Sequence, residues 1–295
     1  MNILVTGGSG FLGSVLVQKL EAQGHNVWSV SRHESSVHNL PGDIQKQGLG
    51  ITMMPDIQFD RCYHLAAILR PGPDKDGSII HTNVGGTINV IQFCKQHHIP
   101  HLLFCSTAYT NGRNPYERSK RMAETIVNDS GIPKITIFKP AIIMGMPEGH
   151  FSLFVSLLVK VHKRAELVRR GIEGALRLPV IQPVFRLKGN PEGQLNLVTV
   201  DAVAEAMATK DGAETYWLTN PAPPTLRDVC QWTGEFIMVQ LLIEPEFQAT
   251  PLEAGFHRLT KAFEPYLQGD QFPSDLGPCP IGKEFIGEQV RKLFS

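Results

Sequence analysis

Tyr116 and Lys120 lie in Asn114-Pro115-Tyr116-Glu117-Arg118-Ser119-Lys120, a spacing that one helical turn would convert into a neighbouring phenol and ammonium. Asn114 suits a helix cap, Pro115 the first helical position and Glu117 the third, so the pattern predicts a helix over 116–128 with both side chains on one face. A free tyrosine titrates near about 10 and is a poor acid–base group at neutrality. A lysine cation beside it favours the phenolate and moves that titration toward working pH. Tyr-x-x-x-Lys also recurs by chance on solvated surface helices, so its meaning depends on what is placed next to it.

The start of the chain supplies a holder for a cofactor. Asn2 to Thr6 reads as an apolar strand that ends at Gly7-Gly8-Ser9-Gly10-Phe11-Leu12-Gly13, after which Leu12, Val15, Leu16 and Leu20 recur at helical spacing. Glycines at 7, 10 and 13 let backbone approach a pyrophosphate and let helix pack on strand, while the helix start offers unpaired N–H donors. Asn26 to Val30 reads as the second strand. Beyond it, where an acidic residue would hold a ribose 2′-hydroxyl, stand Ser31, Arg32 and His33. An arginine there can pair with a 2′-phosphate, so NADP(H) is preferred, with NAD(H) as the alternative.

Strand and helix patterns then alternate: strands at 61–65, 102–106 and 134–138, helices at 79–96 and 116–128. Such alternation predicts an α/β fold, a doubly wound parallel sheet of the Rossmann type. Ligands collect at the carboxyl ends of its strands, where Gly7, His64 to Ala67, Ser106 to Thr107 and Pro140 to Ala141 fall.

A chain of 295 residues with 42% hydrophobic content exceeds one small core, so one large and one smaller domain are expected. Zero formal net charge gives no global attraction to nucleic acid, membrane or acidic partners. Five scattered cysteines without Cys-x-x-Cys pairs argue against a disulfide framework and a zinc site, and point to a reducing compartment. Met1 runs straight into the first strand, leaving no room for a signal peptide, and the apolar run 151–161, broken by Lys160, is too short to span a bilayer. The expectation is a cytoplasmic protein with no membrane span. His97, His98 and His101 lack other ligand types at metal spacing, so no metal is expected.

Taken as a set, these residues resemble the extended short-chain dehydrogenase/reductase family. The matching positions are Thr6-Gly7 through Gly13, Asp43, His64-Leu65-Ala66-Ala67, Asn83 to Asn89, Ser106-Thr107-Ala108-Tyr109, Tyr116 with Lys120, and Lys139-Pro140-Ala141. Within the family the motifs look most like the thioester-reductase and fatty-acyl-reductase branch. The resemblance implies that Tyr116 exchanges a proton with the substrate oxygen and that Lys120 holds the nicotinamide ribose. It implies that Thr107 hydrogen-bonds the same oxygen; Ser106 is the alternative, since alternation along a strand lets only one of the two face the substrate. It places Asp43 and Ile44 at the adenine, Ala66 and Ala67 along the cofactor backbone, and Pro140, Ala141 and Ile142 on the nicotinamide side. Gly7, Gly10, Phe11, Leu12, Gly13 and Arg32 complete the cofactor set. Asn83 either supports the lysine through water or fixes a helix start. Nucleotide-sugar epimerases of the family carry an Asn after the last core strand, where this chain has Lys139-Pro140-Ala141-Ile142.

Past residue 150 the alternation loosens. The expected organisation is a nucleotide-binding domain over 1–150, rejoined by 194–219, and a smaller, mainly helical substrate-binding region over 151–193 and 220–295. Phe154, Leu157 and Leu158 mark one helix face, and the basic strip Lys160, Lys163, Arg164 and Arg170 marks another. That strip is either a solvated surface or a dock for coenzyme A or an acyl carrier protein. A strand is expected over 194–200, with Asp201 capping a helix 202–208, and helices over 252–267 and 283–294. Phe256, Phe263, Tyr266 and Phe272 are read as core, with an apolar substrate pocket as the alternative. The function expected is NADPH-dependent reduction of a small-molecule carbonyl, whether acyl thioester, aldehyde or ketone. Alternatives are an NAD-dependent nucleotide-sugar epimerase or dehydratase, and a non-catalytic cofactor-binding sensor or scaffold.

Overall fold

The computed structural model describes residues 1–32, 38–70, 72–145, 151–160 and 184–293. The chain divides into two compact units, each assembled from three stretches: 1–141, 200–219 and 272–277 form the first, and 142–199, 220–271 and 278–295 the second.

The first unit is a seven-stranded parallel sheet. Its strands are β1 (Asn2–Thr6), β2 (Asn26–Ser31), β3 (Asn39–Pro41), β4 (Arg61–His64), β5 (His101–Cys105), β6 (Lys134–Pro140) and β10 (Thr215–Leu218). Their spatial order is β10-β6-β5-β4-β1-β2-β3, so the order reverses between β1 and β4. A crevice opens at such a reversal because the connections leave in opposite directions. Helices α1 (Phe11–Ala22), α3 (Gly86–Gln96), α4 (Pro115–Asn128) and α6 (Val200–Thr209) belong to this unit, with α1 packed on α6 and α3 beside α4. Leu4, Cys62, Val90, Phe93, Leu102, Phe104 and Ile137 share one buried cluster with Ala123 and Val127 of α4.

Before α3 the chain makes a short turn α2 (Ser78–Ile80) and a π-helical segment over His81–Gly85. The reading of one helix over 79–96 missed this wider turn, a feature found frequently at functional sites. The edge of the sheet at β10 is covered by residues 272–277. Asp275 accepts the Trp217 N–H through Oδ2 at 2.7 Å and donates its own N–H to the Trp217 carbonyl at 2.8 Å. Thr219 and Ser274 hydroxyls add bonds to the Pro273 and Thr219 carbonyls. An unpaired edge invites association with other chains, and this loop removes that opportunity.

Among the described residues the second unit contains two small parallel pairs, β7 (Ile142–Met144) with β9 (Leu197–Thr199) and β8 (Val184–Lys188) with β11 (Gln240–Glu244). The described residues also form helices α5 (151–160), α7 (Leu226–Ile237), α8 (Pro251–Thr260) and α9 (Lys283–Lys292) there. The strand expected over 194–200 is only β9, and the following helix starts at Val200, so Asp201 sits in its first turn instead of capping it. The long helix expected over 252–267 ends at Thr260 and continues as 3₁₀ turns through Pro265, whose ring cannot continue an α-helix. Phe256 is buried against Phe154 and Phe185 at ring separations of 5.5 and 5.3 Å, and is therefore core. Phe272 belongs to the first unit and packs on Tyr109 and Trp217. Of the basic strip, Lys163, Arg164 and Arg170 lie outside the described residues. Among the described residues no helix is long and apolar enough to cross a membrane.

Glu253 staples α8 to β8. Its carboxylate accepts the Arg186 backbone N–H and Nε at 2.9 Å, Arg186 Nη2 at 3.0 Å and the Thr250 N–H at 2.7 Å. Burial opposes the charge, but the Arg186 guanidinium and the Thr250 donors outweigh it and hold the carboxyl at about 2. The unfolded chain has the carboxyl near about 4.3. The pair therefore stabilises the fold above that pH, and its contribution is lost as pH falls toward 2. Glu253→Gln is expected to lower unfolding free energy at neutral pH by about 2 kcal/mol. The difference from the parent should shrink below about pH 4 in urea midpoints measured across pH.

Candidate active site

β1 delivers the chain into the glycine turn with Gly7 at φ +79°, a left-handed conformation, and the Gly10 N–H closes the turn on the Gly7 carbonyl at 3.1 Å. Helix α1 begins at Phe11, with no side-chain cap on Gly10 and no acidic residue in the first turn. The N–H groups of Phe11, Leu12 and Gly13 have no intrahelical acceptor, so the turn presents donors and partial positive charge to an anion. A Cβ on Gly7 would stand 2.7 Å from the Ala66 nitrogen, and one on Gly13 2.0 Å from the Gly7 oxygen. The cradle is thus built around bare backbone, the condition a pyrophosphate requires, and the residues present fit a dinucleotide.

At the far end of β2, Arg32 is exposed. Ser31 donates to Asn39 Oδ1 at 2.7 Å on β3; His33 lies outside the described residues. Asp43 accepts the Gln45 N–H at 3.0 Å, which tightens its own turn. Ile44 places its side chain in the core and its carbonyl on Asn89 Nδ2 at 2.8 Å, so neither is turned to a ligand.

The end of β4 meets the glycine turn directly. Ala66 donates its N–H to the Thr6 carbonyl at 3.1 Å, and Ala66 and Ala67 are both half-buried. His64 is buried between Thr6 Oγ1 at 2.7 Å and Thr87 Oγ1 at 3.0 Å. Because Thr87 donates to the Asn83 carbonyl, it accepts from His64 Nε2–H, and Nδ1 is left to accept from Thr6. Burial, reinforced by the Lys120 cation, pushes the imidazole down to about 3. His64 pins β1, β4 and α3 together through these two bonds, and burial disfavours its charged form.

Helix α4 forms as its sequence predicts. Asn114 Oδ1 accepts the Glu117 N–H at 2.9 Å, Pro115 opens the helix, and Tyr116 and Lys120 follow one turn apart. Both are buried. Lys120 donates to the Cys105 carbonyl at 2.6 Å, and its ammonium lies 4.6 Å from the centre of the Phe104 ring. Burial lowers its pKa, against the raising influence of Cys105 and Glu124. Lys120 is thereby fixed at the very end of β5, next to Ser106 and Thr107. Asn83, in the π-helical segment, bonds both backbone groups of Ile68 and donates to Ser119 Oγ at 2.9 Å, while Ser119 donates to the Tyr116 carbonyl. Asn83 therefore anchors the first turn of α4 and the chain after β4.

Ser106 and Thr107 point differently. Ser106 donates to the Glu124 carboxylate, which pairs with Lys139 at 3.1 Å. Thr107 Oγ1 accepts the Tyr109 N–H at 3.2 Å, which leaves its own proton to donate. Pro140 and Ala141 come to the same strand ends through Ala108 N–H to the Pro140 carbonyl at 2.8 Å and Ala141 N–H to the Leu218 carbonyl at 3.1 Å. Ile142 opens β7 and belongs to the second unit. Sequence reading passed over Glu124 and named Lys139 only within a family match, without a role. The signals were a carboxylate one further turn along the Tyr116–Lys120 face and a lysine directly after the mostly apolar run Ile135-Thr136-Ile137-Phe138.

The profile of the NAD dependent epimerase/dehydratase family matches residues 3–150, and that described as Male sterility protein matches 110–207. The chain belongs to the NAD dependent epimerase/dehydratase family, within the extended short-chain dehydrogenases/reductases. It is 30% identical over 156 residues to UDP-glucuronic acid decarboxylase 4 of Arabidopsis thaliana, a match covering 44% of this chain and 35% of that protein. The 2-alkyl-3-oxoalkanoate reductase of Stenotrophomonas maltophilia is 26% identical over 267 residues, covering 78% of this chain and 73% of the other. Among solved structures, the UDP-glucose 4-epimerase of Thermotoga maritima with UDP-glucose has a TM-score of 0.69 at 17% identity, covering 100% and 99% of the two chains. The terminal R domain from the myxalamid PKS-NRPS biosynthetic pathway has a TM-score of 0.68 at 18% identity, covering 99% and 90%. At those identities the two structures speak to the fold alone.

Proposed function

We propose that the chain is an NADPH-dependent reductase of a small-molecule carbonyl, an acyl thioester, aldehyde or ketone. The observation that carries the reading is the placement of Lys120 on the Cys105 carbonyl, which sets the Tyr116 helix against the strand end bearing Thr107. When bound, NADPH supplies the hydride. Tyr116 donates its phenolic proton to the substrate oxygen, and Thr107 orients that oxygen through its hydroxyl. Lys120 holds the nicotinamide ribose and, as a cation, stabilises the phenolate left behind. For a thioester, hydride addition and protonation leave a hemithioacetal, which expels thiol to give aldehyde.

The similarity to 2-alkyl-3-oxoalkanoate reductase across most of both chains supports reduction. A purified protein that oxidises NADPH with acyl-coenzyme A, acyl carrier or simple carbonyl substrates would bear the reading out; retained cofactor binding without consumption across that panel would overturn it. The second reading is a nucleotide-sugar epimerase, dehydratase or decarboxylase that recycles bound NAD⁺, supported by the match to UDP-glucuronic acid decarboxylase 4. Protein that purifies with NAD⁺ and turns over a UDP-sugar without net cofactor change would favour it. The second unit is proposed to carry the substrate-binding residues. The five cysteines are buried and outside any disulfide, which fits a reducing compartment, the cytoplasm.

Two measurements refine the reading. Thr107→Ala is expected to lower kcat by about 100-fold, whereas Ser106→Ala, whose hydroxyl is turned to Glu124, should remain within about threefold of the parent. The reverse ranking in steady-state assays would transfer the role to Ser106. Arg32 is assigned to the 2′-phosphate, so Arg32→Ala should weaken NADPH about tenfold or more in titration calorimetry and leave NADH unchanged.

A further inference from the structure

The reductase reading leaves a buried ion pair unexplained beside its reacting groups. Glu124 lies one helical turn beyond Lys120 on α4, with its side chain 17% exposed, and Lys139 at the end of β6 is 8% exposed. The two meet at 3.1 Å. Lys139 also donates to Thr110 Oγ1 at 3.3 Å and lies 4.7 Å from the centre of a Trp217 ring. On its other side the Glu124 carboxylate takes the Ser106 hydroxyl. Desolvating two charges is costly, and an apolar pair of similar volume would commonly serve stability as well. Here the carboxylate adjoins Lys120, which also interacts with His64 from β4 and Cys105 from β5, and Tyr116 stands one turn before it on α4.

We infer, resting on the reductase reading, that Glu124 and Lys139 are positioning residues of the Tyr116–Lys120 pair. The carboxylate turns Ser106 away from the substrate side and sets the charge felt by Lys120, while Lys139 neutralises its excess. Neither touches substrate. Burial acts to strip the proton from Lys120, and Glu124 opposes that loss. Without the carboxylate, Lys120 and Tyr116 both become more acidic. A reduction that uses both in their protonated forms would then fail at lower pH.

The test is the basic limb of kcat/KM for reduction in three variants. Glu124→Gln should move that limb down by about one pH unit, with the Kd for NADPH within about threefold of the parent. Lys139→Met, which leaves the carboxylate uncompensated, should move it up. The double variant, with both charges gone, should return close to the parent. Limbs that coincide in the parent and both single variants, or a double variant displaced as far as the worse single one, would overturn the inference and leave a purely structural pair. Should Glu124→Gln not fold, Lys139→Met decides alone by the direction of its limb. Tyr116→Phe run alongside separates the two ideas: retained turnover there removes the reductase mechanism, whereas lost turnover with unmoved limbs removes only this pair. A readout without turnover is the ultraviolet titration of the tyrosinate, parent minus Tyr116→Phe, which should shift in the same senses.

Discussion

Tyr116→Phe is expected to reduce kcat by about 100- to 10,000-fold, the usual worth of a positioned acid, and to leave NADPH affinity within about threefold. The substitution removes one oxygen from a ring already 7% exposed and keeps its packing. Helix α4 keeps its Asn114 cap and Pro115 start, and Lys120 keeps the Cys105 carbonyl. The glycine cradle follows a different strand. Activity should therefore fall without a matching loss of cofactor or of melting temperature, a combination that unfolding could not produce. Unchanged turnover in stopped-flow or steady-state assays would remove the phenol from the mechanism.

Gly13→Ala should have the largest effect on the nucleotide. The added carbon would lie 2.0 Å from the Gly7 oxygen, 2.8 Å from the Gly7 carbonyl carbon and 2.9 Å from the Gly8 Cα. All three are backbone atoms, so no rotamer change relieves the overlap. Either the turn opens or α1 moves off the sheet, and both disperse the donors that await a pyrophosphate. Cofactor affinity should drop at least about 100-fold, with a stability loss of about 1–3 kcal/mol from overpacking alone. Gly255→Ala is the control: nothing stands within 4 Å of a Cβ there, and in mid-α8 alanine should add about 0.5–1 kcal/mol. Equal thermal shifts by NADPH in parent and Gly13→Ala would sink the account of the cradle.

Much of the first unit was legible because its signals are local. A strand closed by spaced glycines, and an Asn-Pro start before a helix, are written in contiguous residues and need no tertiary knowledge. The same locality puts Tyr116 and Lys120 on one helical face from their spacing alone. What escaped depends on contacts between distant segments. Ser106 and Thr107 are adjacent in sequence, and only Glu124, from a different element, distinguishes their roles. The π-helical turn around Asn83 has no simple pattern in the sequence, since it is held by Ile68 and Ser119. The 8–11 strand pair and the brevity of β9 likewise follow from partners elsewhere in the second unit.

The loop that closes the β10 edge has a bearing on biogenesis. Asp275 follows Trp217 by 58 residues, so at about 5–20 residues per second a nascent chain completes β10 roughly 3–12 s before its cover emerges from the ribosome. During that interval the strand end is open to other chains. Any expression fragment that stops at 219 would hold that vulnerability permanently, and such a truncation is a route to aggregates, not to a working nucleotide-binding half.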